Sequence, residues 1–183
     1  ELGFSRVNLI AAPLAAAIGA GVPIADASGT LLLHLGESSL QFSSIALGSV
    51  LFVKSSSFAG AKLATEIRDH LAVQDNFDLA LESAYLLKQK VFSLQASKRS
   101  LAVMGKTRNG GNPIELNIKS SALSKVADLF KLELEALLGD LLAVLPPELT
   151  QDVTNKGLLL SGGLAKIDGL EEFFLEKFSL PVA

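Results

Sequence analysis

The 183-residue sequence contains no cysteine, no tryptophan and only one methionine. Without cysteine there can be neither a disulfide framework nor a thiolate metal site, and this composition is typical of a reducing compartment. The only histidines, His34 and His70, form no recognisable metal-ligand spacing with the carboxylates, so no metal site is predicted. These absences favour a cytoplasmic protein without a structural metal.

Positive charge is also scarce. The formal net charge is -3 at pH 7 and the isoelectric point is near 5.4. Proteins that bind nucleic acid through its phosphate backbone need clustered lysine and arginine, and this chain has no such excess. Nucleic acid is therefore not expected as a partner.

Long hydrophobic runs are missing too, although the mean hydropathy is high at +0.43. Charged or polar residues interrupt every apolar stretch well short of the about 18 residues that a membrane-spanning helix needs. The chain starts at Glu1, and no charged segment precedes an apolar one, so no signal peptide is predicted. We expect no membrane segment in this chain, and we expect it to be a piece of a longer protein.

The first part of the sequence has the pattern of strands around one short helix. The segment RVNLI (6–10) predicts a buried strand, and the helix that follows can begin at Pro13 and end at Gly19 or Gly21. Runs rich in Leu, Val, Ile and Phe then predict a meander, with strands near 30–35, 40–46 and 49–54.

Helical periodicity dominates the middle of the sequence. Apolar residues at helical spacing predict one helix, with the stripe Phe58, Leu63, Ile67 and Leu71. A second helix is predicted at roughly 78–93. The sequence SLAVMGKTRNGGNPIELNI then predicts a hairpin, because the glycines of its RNGGN turn supply positive φ.

The longest predicted helix follows this hairpin. Ser121 or Ser124 would cap it, and Pro146 and Pro147 would stop it. Its apolar stripe is Val126, Phe130, Leu134, Leu137, Leu138, Leu141 and Leu145. The last segment, GLLLSGGLAKIDGLEEFF, predicts a strand, a glycine turn and an amphipathic helix, and such a turn faces a ligand at the carboxyl end of its strand. The interleaved elements indicate an α/β fold with a mixed sheet.

Two glycine turns are the candidate ligand sites. The stretch LLLHLGESSLQF (31–42) is either a phosphate-cradling turn or an ordinary hairpin, and SGG (161–163) could bring backbone N–H groups near a phosphate or nucleoside. The Gly-Lys-Thr of MGKTR does not make a P-loop, because Ser100 occupies the position of that motif's first glycine. No arrangement typical of nucleophilic catalysis is evident.

The order of these segments resembles the second half of the MreB, or rod-shape-determining, family of bacterial actins. NLIAAPLAAAIGAGVPI resembles that family's Leu-Ile-Glu-Glu-Pro strand end and its alanine-rich helix. TLLLHLGESSLQF is similar to its second phosphate loop, Val-Asp-Ile-Gly-Gly-Gly-Thr-Thr. LPPELTQDVTNKGLLLSGGL resembles its Pro-Pro-Glu-Leu and Gly-Ile-Leu-Leu-Thr-Gly-Gly-Gly adenosine segment. The resemblance covers nearly the whole chain.

This resemblance implies an actin-like (ribonuclease H-like) ATPase-domain lobe, with a mixed sheet flanked by helices and an inserted smaller α/β subdomain. It implies that residues 1–22 are the end of the first domain and a hinge helix. Residues 23–57 and 151–183 would form subdomain IIA, and 58–150 the inserted subdomain IIB. In the family, ATP with magnesium lies between two domains, so part of the cleft would come from residues outside this chain.

The sequence departs from the family pattern at the nucleotide. Ala11 and Ala12 replace the paired glutamates, one of which positions the attacking water, and His34 replaces the magnesium-side aspartate. Imidazole is a poor substitute for an oxygen ligand of a hard cation. Glu37 adds a negative charge to the loop, and at ~5 Å and an effective dielectric constant of ~20 its repulsion of a phosphate is about 3 kcal/mol if uncompensated. The opening turn is thus interpreted as a degenerate hairpin, and no catalytic residue is predicted.

The nucleotide-binding candidates carried over from the resemblance come from three segments. The segment DLALESAY (78–85) would align with the family's Glu-Arg-Thr-Ala-Glu-Glu-Ile-Lys helix. It would keep acidic residues at Asp78 and Glu82, while Tyr85 would stand where the lysine belongs. The adenosine turn would keep two glycines, with Leu164 in place of the third. The candidates are Gly36, Ser38, Ser39, Asp78, Glu82, Gly162 and Gly163.

These features predict a divergent actin-like cytoskeletal or scaffold protein of the cell-shape or filament type, with weak or lost nucleotide binding and impaired hydrolysis. Its partners would be further copies of itself or other cytoskeletal and membrane-complex proteins. One alternative is an active ATP-dependent filament-forming ATPase. Another is an actin-fold adaptor of division or pilus assembly that reaches the inner face of the membrane through partners.

Overall fold

The computed structural model describes Gly3 and residues 5–182, which form seven strands and six α-helices in a mixed order along the chain. The strands are β1 Thr30–Leu35, β2 Leu40–Ala46, β3 Ser49–Ser56, β4 Phe77–Leu79, β5 Ser100–Thr107, β6 Pro113–Lys119 and β7 Leu158–Ser161. The helices are α1 Ala12–Gly19, α2 Gly60–Gln74, α3 Leu81–Lys90, α4 Ser124–Leu142, α5 Pro147–Lys156 and α6 Leu170–Phe178.

The larger sheet is mixed, as the sequence predicts. Its order is β3-β2-β1-β7, with antiparallel pairing from β1 to β2 and from β2 to β3 and parallel pairing from β1 to β7. Leu33 lies beside Phe42 of β2 on one side and Leu160 of β7 on the other. Because β1 is central and buried on both faces, it reads as a continuous leucine run rather than an alternating one.

The smaller sheet is antiparallel and has the order β4-β5-β6. Its strands and helices α2, α3 and α4 come from residues within 58–150, the range assigned to the inserted subdomain. One core nonetheless continues from the larger sheet into this part, since Phe42, Phe130 and Phe174 belong to a single apolar cluster. The division into subdomains stays a prediction.

The helices follow the predicted apolar stripes. In α2, Leu63, Ile67 and Leu71 are buried, and Phe58 lies just before the helix, where its ring packs 6.0 Å from that of Phe130. The whole predicted stripe of α4 is buried, and the helix ends ahead of Pro146. Within the part of the chain that is described, no helix is both apolar and long enough to cross a membrane.

Two local predictions are wrong. Residues 6–10 belong to neither sheet, and Leu9 is 97% exposed, because the neighbours of β1 are already β2 and β7. The predicted serine cap of α4 is absent as well: Ser121 lies in a 3₁₀ turn that runs directly into the helix, and Ser124 is the first helical residue, without a side-chain cap.

Elements that the sequence analysis missed are short or polar. The strand β4 occupies the start of the region predicted as helix 78–93, so that α3 covers only Leu81–Lys90. The helix α5 starts at Pro147, where proline is well suited to a first helical turn. Only Val153 of α5 is buried, so the helix carries little apolar signal.

Candidate functional site

A cleft of about 480 Å³ lies where the two predicted glycine turns approach each other. This volume falls within the range of small-molecule sites. The first turn joins β1 to β2, and the second follows β7, so both lie at the carboxyl ends of neighbouring parallel strands. The cleft is lined by Gly36, Glu37, Lys88, Gln89, Phe92, Arg99, Gly163, Leu164, Lys166 and Ile167.

The first turn, residues 36–39, is a hairpin turn fastened to α2. The backbone N–H of Gly36 donates to the Ser39 carbonyl at 3.0 Å and closes the turn. The N–H groups of Gly60 and Ala61, in the first turn of α2, donate to the carbonyls of Gly36 and Glu37 at 3.1 and 2.9 Å. The backbone of this turn is thus held on both sides, and its side chains are the parts free to respond to a ligand.

The second turn depends on glycine for its shape. Gly162 has a φ of 93°, and a Cβ there would collide with the backbone of Leu35 at the end of β1. Gly163 borders the cleft, and a Cβ there would meet no atom within 4 Å. The turn therefore packs closely against the first turn's strand while it leaves open space toward the cleft.

A buried lysine joins the first turn to α3. The side chain of Lys88 is 5% exposed, and its Nζ donates to Oε2 of Glu37 at 3.0 Å and to the Gly60 carbonyl at 2.9 Å. The same nitrogen lies 4.3 Å from the centre of the Tyr85 ring. The Glu37 side chain is 55% exposed. The negative charge of Glu37, whose repulsion of a phosphate was calculated for the uncompensated case, is paired with this lysine.

Tyr85 completes the cluster. Hydrogen bonding to the Glu37 carboxylate, followed by burial, raises the pKa of the Tyr85 hydroxyl above its ordinary value of 10.0. The hydroxyl therefore stays protonated as a donor toward Glu37 well beyond neutral pH. The carboxylate of Glu37 is thus bound by the Lys88 ammonium and lies close to the Tyr85 phenol of the same helix.

A polar pair joins the ends of two neighbouring strands, β1 and β7. Nδ1 of His34 and the Ser161 hydroxyl form a hydrogen bond of 3.0 Å between the paired ends of β1 and β7. Ala11 and Ala12 lie at the start of α1, where the methyl side chains bring no carboxylate. The positions that the resemblance assigns to magnesium and to the attacking water therefore carry no acidic side chain.

The predicted site residues divide between the two glycine turns and the segment formed by β4 and α3. Gly36 and Gly163 line the cleft, Ser38 and Ser39 belong to the first turn, and Gly162 adjoins Gly163. Ser38, Ser39 and Gly162 are not lining residues themselves. Asp78 and Glu82 belong to neither turn: Asp78 is on β4, where its carboxylate is 3.6 Å from Arg108, and Glu82 is exposed in the first turn of α3.

The sequence analysis missed the cations of the cleft. Lys88, Arg99 and Lys166 all line it, and Lys88 lies one helical turn after Tyr85, the position at which the resemblance places a lysine. The sequence did contain a signal for Lys88: it directly follows Leu87 and lies one turn after Ala84, and both of these residues belong to the buried face of α3. A lysine on such a stripe needs an anionic partner.

The lining fits an anion better than a cation. Three cationic side chains and the single carboxylate of Glu37 border the cleft, and backbone near Gly163 is open to it. A phosphate-bearing group such as a nucleotide suits this charge and volume. Magnesium prefers carboxylate oxygens, and within residue 3 and residues 5–182 no three Asp, Glu, His or Cys side chains gather into a metal site. The residues do not fit a protein-held magnesium ion.

Comparison with known proteins points to one family. The family model described as "MreB/Mbl protein" matches residues 1–183. Cell shape-determining protein MreB of Escherichia coli K12 is 27% identical over 188 residues, covering 98% of this chain and 52% of that protein. Cell shape-determining protein Mbl of Bacillus subtilis is 25% identical over 182 residues, covering 98% and 55%. The chain spans about half the length of these relatives.

Solved structures agree with the sequence matches. MreB5 of Spiroplasma citri bound to ADP superposes with a TM-score of 0.95 at 27% identity, covering 99% of this chain and 56% of that one. The AMPPNP-bound form gives a TM-score of 0.89, covering 93% and 52%. The MamK double helical filament has a TM-score of 0.72 at 15% identity over 93% and 52% of the two chains, a likeness of fold alone. The predicted actin-like α/β fold is confirmed.

Proposed function

The chain belongs to the MreB/Mbl family of actin-fold cytoskeletal proteins, and we propose that it forms the second half of a divergent filament or scaffold protein that hydrolyses ATP poorly. In this proposal the protein acts in the cytoplasm through contacts with further copies of itself or with other cytoskeletal and membrane-complex proteins. Its cleft holds a nucleotide weakly.

The observation that carries the proposal is the hydrogen bond between His34 and Ser161 at the ends of β1 and β7. By family resemblance, a magnesium-side aspartate belongs at His34. An imidazole at this position supplies no oxygen ligand to the metal or its waters. Ala11 and Ala12 likewise supply no base, and a base that positions water typically contributes about 10²–10⁴ in rate.

Self-association is supported by what the similar proteins form or determine. Cell shape-determining MreB and Mbl are its sequence relatives, and a MamK double helical filament shares its fold. Because the chain spans about half of each relative, the polymer and its partners are proposals for the whole gene product. The fold of such a lobe can persist after its nucleotide chemistry is lost, since the packing of its sheet and helices does not require the metal ligands.

A second candidate is an active, nucleotide-dependent ATPase filament. The cationic lining by Lys88, Arg99 and Lys166 favours it, because these side chains suit a polyphosphate. The similar MreB5 structures are bound to ADP and AMPPNP. In this candidate, water would be positioned by residues other than those at 11 and 12.

Sedimentation of the full-length gene product separates the two candidates. We expect the same pelleted fraction without nucleotide, with ADP and magnesium, and with ATP and magnesium. A pelleted fraction that requires ATP, together with tight magnesium-dependent binding in a calorimetric titration, would favour the ATPase. The Ser39→Ala variant is the matched test, because an effect of ATP that acts through the first turn should weaken in it.

A further inference from the structure

We propose that the carboxylate of Glu37 is an internal anion that occupies the phosphate side of the cleft and competes with a phosphate-bearing ligand for Lys88. The inference rests on the proposed role of the cleft as a nucleotide site and adds a cause for weak binding. It assigns that weakness to one side chain of this chain rather than to a general loss of the site.

The first step is the condition of Lys88. Its side chain is 5% exposed, and a buried ammonium is costly unless an anion and further acceptors satisfy it. Glu37 Oε2 at 3.0 Å supplies the anion and the Gly60 carbonyl at 2.9 Å accepts another N–H. The face of Tyr85 lies at 4.3 Å. The donors of Lys88 are therefore already engaged on the side that borders the cleft.

The second step is the asymmetry between the two charges. Glu37 is 55% exposed, so its carboxylate can turn into solvent and be hydrated there, whereas Lys88 has no such route from the core. The backbone of Glu37 is fixed by the hydrogen bond from Ala61, so only the side chain must move. A ligand anion would thus take the place of the mobile Glu37 carboxylate beside the ammonium of Lys88, which stays in position.

The third step is the charge that this movement exposes. With Glu37 in place, the carboxylate cancels one of the three cations that line the cleft. With Glu37 turned away, Lys88 and Lys166 face a ligand together, beside Arg99, whose guanidinium also pairs with Asp168 at 3.4 Å. Such a surface selects a polyphosphate, because clustered cations gain most from a compact, multiply charged anion.

The experiment is a calorimetric titration of the 183-residue chain with inorganic pyrophosphate in the presence of a chelator. Glu37→Gln keeps the shape of the side chain and removes its charge. We expect it to bind pyrophosphate about tenfold to a hundredfold more tightly than the unsubstituted chain. Glu115→Gln, an exposed position on β6, makes the same change in net charge and should bind as the unsubstituted chain does.

Two further measurements show which residues cause the gain in affinity for pyrophosphate. Lys88→Met added to Glu37→Gln should return the affinity to the unsubstituted level or below it. The chain has a single tyrosine and no tryptophan, so its ultraviolet emission reports on Tyr85 beside Glu37. Pyrophosphate should shift the emission of the unsubstituted chain in the same direction as Glu37→Gln does. This second readout holds even where a variant folds poorly.

Three results would overturn the inference: equal affinities for Glu37→Gln and Glu115→Gln, a gain that persists without Lys88, or saturation by pyrophosphate with no change in Tyr85 emission. None of these measurements involves filaments or hydrolysis. ATP-dependent polymerisation or turnover would contradict the proposed function and leave this competition standing. Failure of the competition would leave the proposed function without its explanation for weak binding.

Discussion

The two glycine turns that meet at the cleft differ in what they present to it. After β7, Gly162 and Gly163 keep a bare backbone, with a positive φ at Gly162 and open space beside Gly163. After β1, the corresponding turn carries Glu37, whose carboxylate is bound by Lys88 on α3. One turn presents backbone to the cleft and the other presents a side chain that is already paired.

This difference separates two kinds of constraint. Gly162 is required by the fold, because any Cβ there would strike the strand end that it packs on. Glu37 lies on a turn whose backbone tolerates a large side chain, since that side chain is half exposed. The turn after β7 is therefore constrained by packing, whereas the turn after β1 can carry a charged side chain without a loss of the fold.

The largest expected effect tests the packing side of this comparison. Gly162→Ala should lower the free energy of unfolding by about 3 kcal/mol, because it combines a strained positive φ with a clash against the Leu35 backbone. Gly163→Ala should stay within about 0.5 kcal/mol, since its Cβ meets open space. Chemical denaturation measures both, and equal losses would refute the distinction.

An intermediate effect is expected at the lysine of the other turn. Lys88→Met should lower the free energy of unfolding by about 1–3 kcal/mol, because the buried Gly60 carbonyl loses its side-chain donor and Glu37 loses its partner. The matched control is Lys90→Met on the exposed end of the same helix, with an expected change within about 0.5 kcal/mol. Equal free energies of unfolding for the two variants would mean that the ion pair between Lys88 and Glu37 contributes nothing to stability.

The smallest effect concerns pH. Hydrogen bonding to Glu37 raises the pKa of Tyr85 above 10.0, so the protonated phenol favours the folded state. This contribution is fully present below the unfolded pKa of about 10 and is lost as the pH rises through the higher folded pKa. In Glu37→Gln the tyrosinate absorbance should titrate at lower pH than in the unsubstituted chain. Superimposable titration curves would contradict the contact.

Much of the fold was predictable because burial sets the spacing of apolar residues along each strand and helix and the length of each apolar segment. The strands β1 and β2 were predicted at their observed bounds, and the stripe of α4 from Val126 to Leu145 is buried throughout. Short elements were not predicted: β4 is three residues long, and its alternation of Phe77, Asp78 and Leu79 is too brief to outweigh the helical pattern that follows. The error at residues 6–10 arose because an apolar run does not reveal whether a partner strand exists.

The candidate site was harder to predict because its essential contacts join distant segments. Gly36 and Gly163 could be assigned from turn chemistry, and both line the cleft. Lys88 is separated from Glu37 by 51 positions, so their ion pair follows only from the packing of α3 against the first turn. Asp78 and Glu82 were carried over by resemblance alone, and neither lines the cleft.

The most direct test of the account is magnesium-dependent phosphate release by the full-length gene product, measured beside a variant that combines Ala12→Glu, His34→Asp and Glu37→Gly. We predict no release above background from the unsubstituted protein and a measurable rate only in the variant with restored carboxylates. A steady turnover by the unsubstituted protein that disappears in Ser39→Ala would contradict the account.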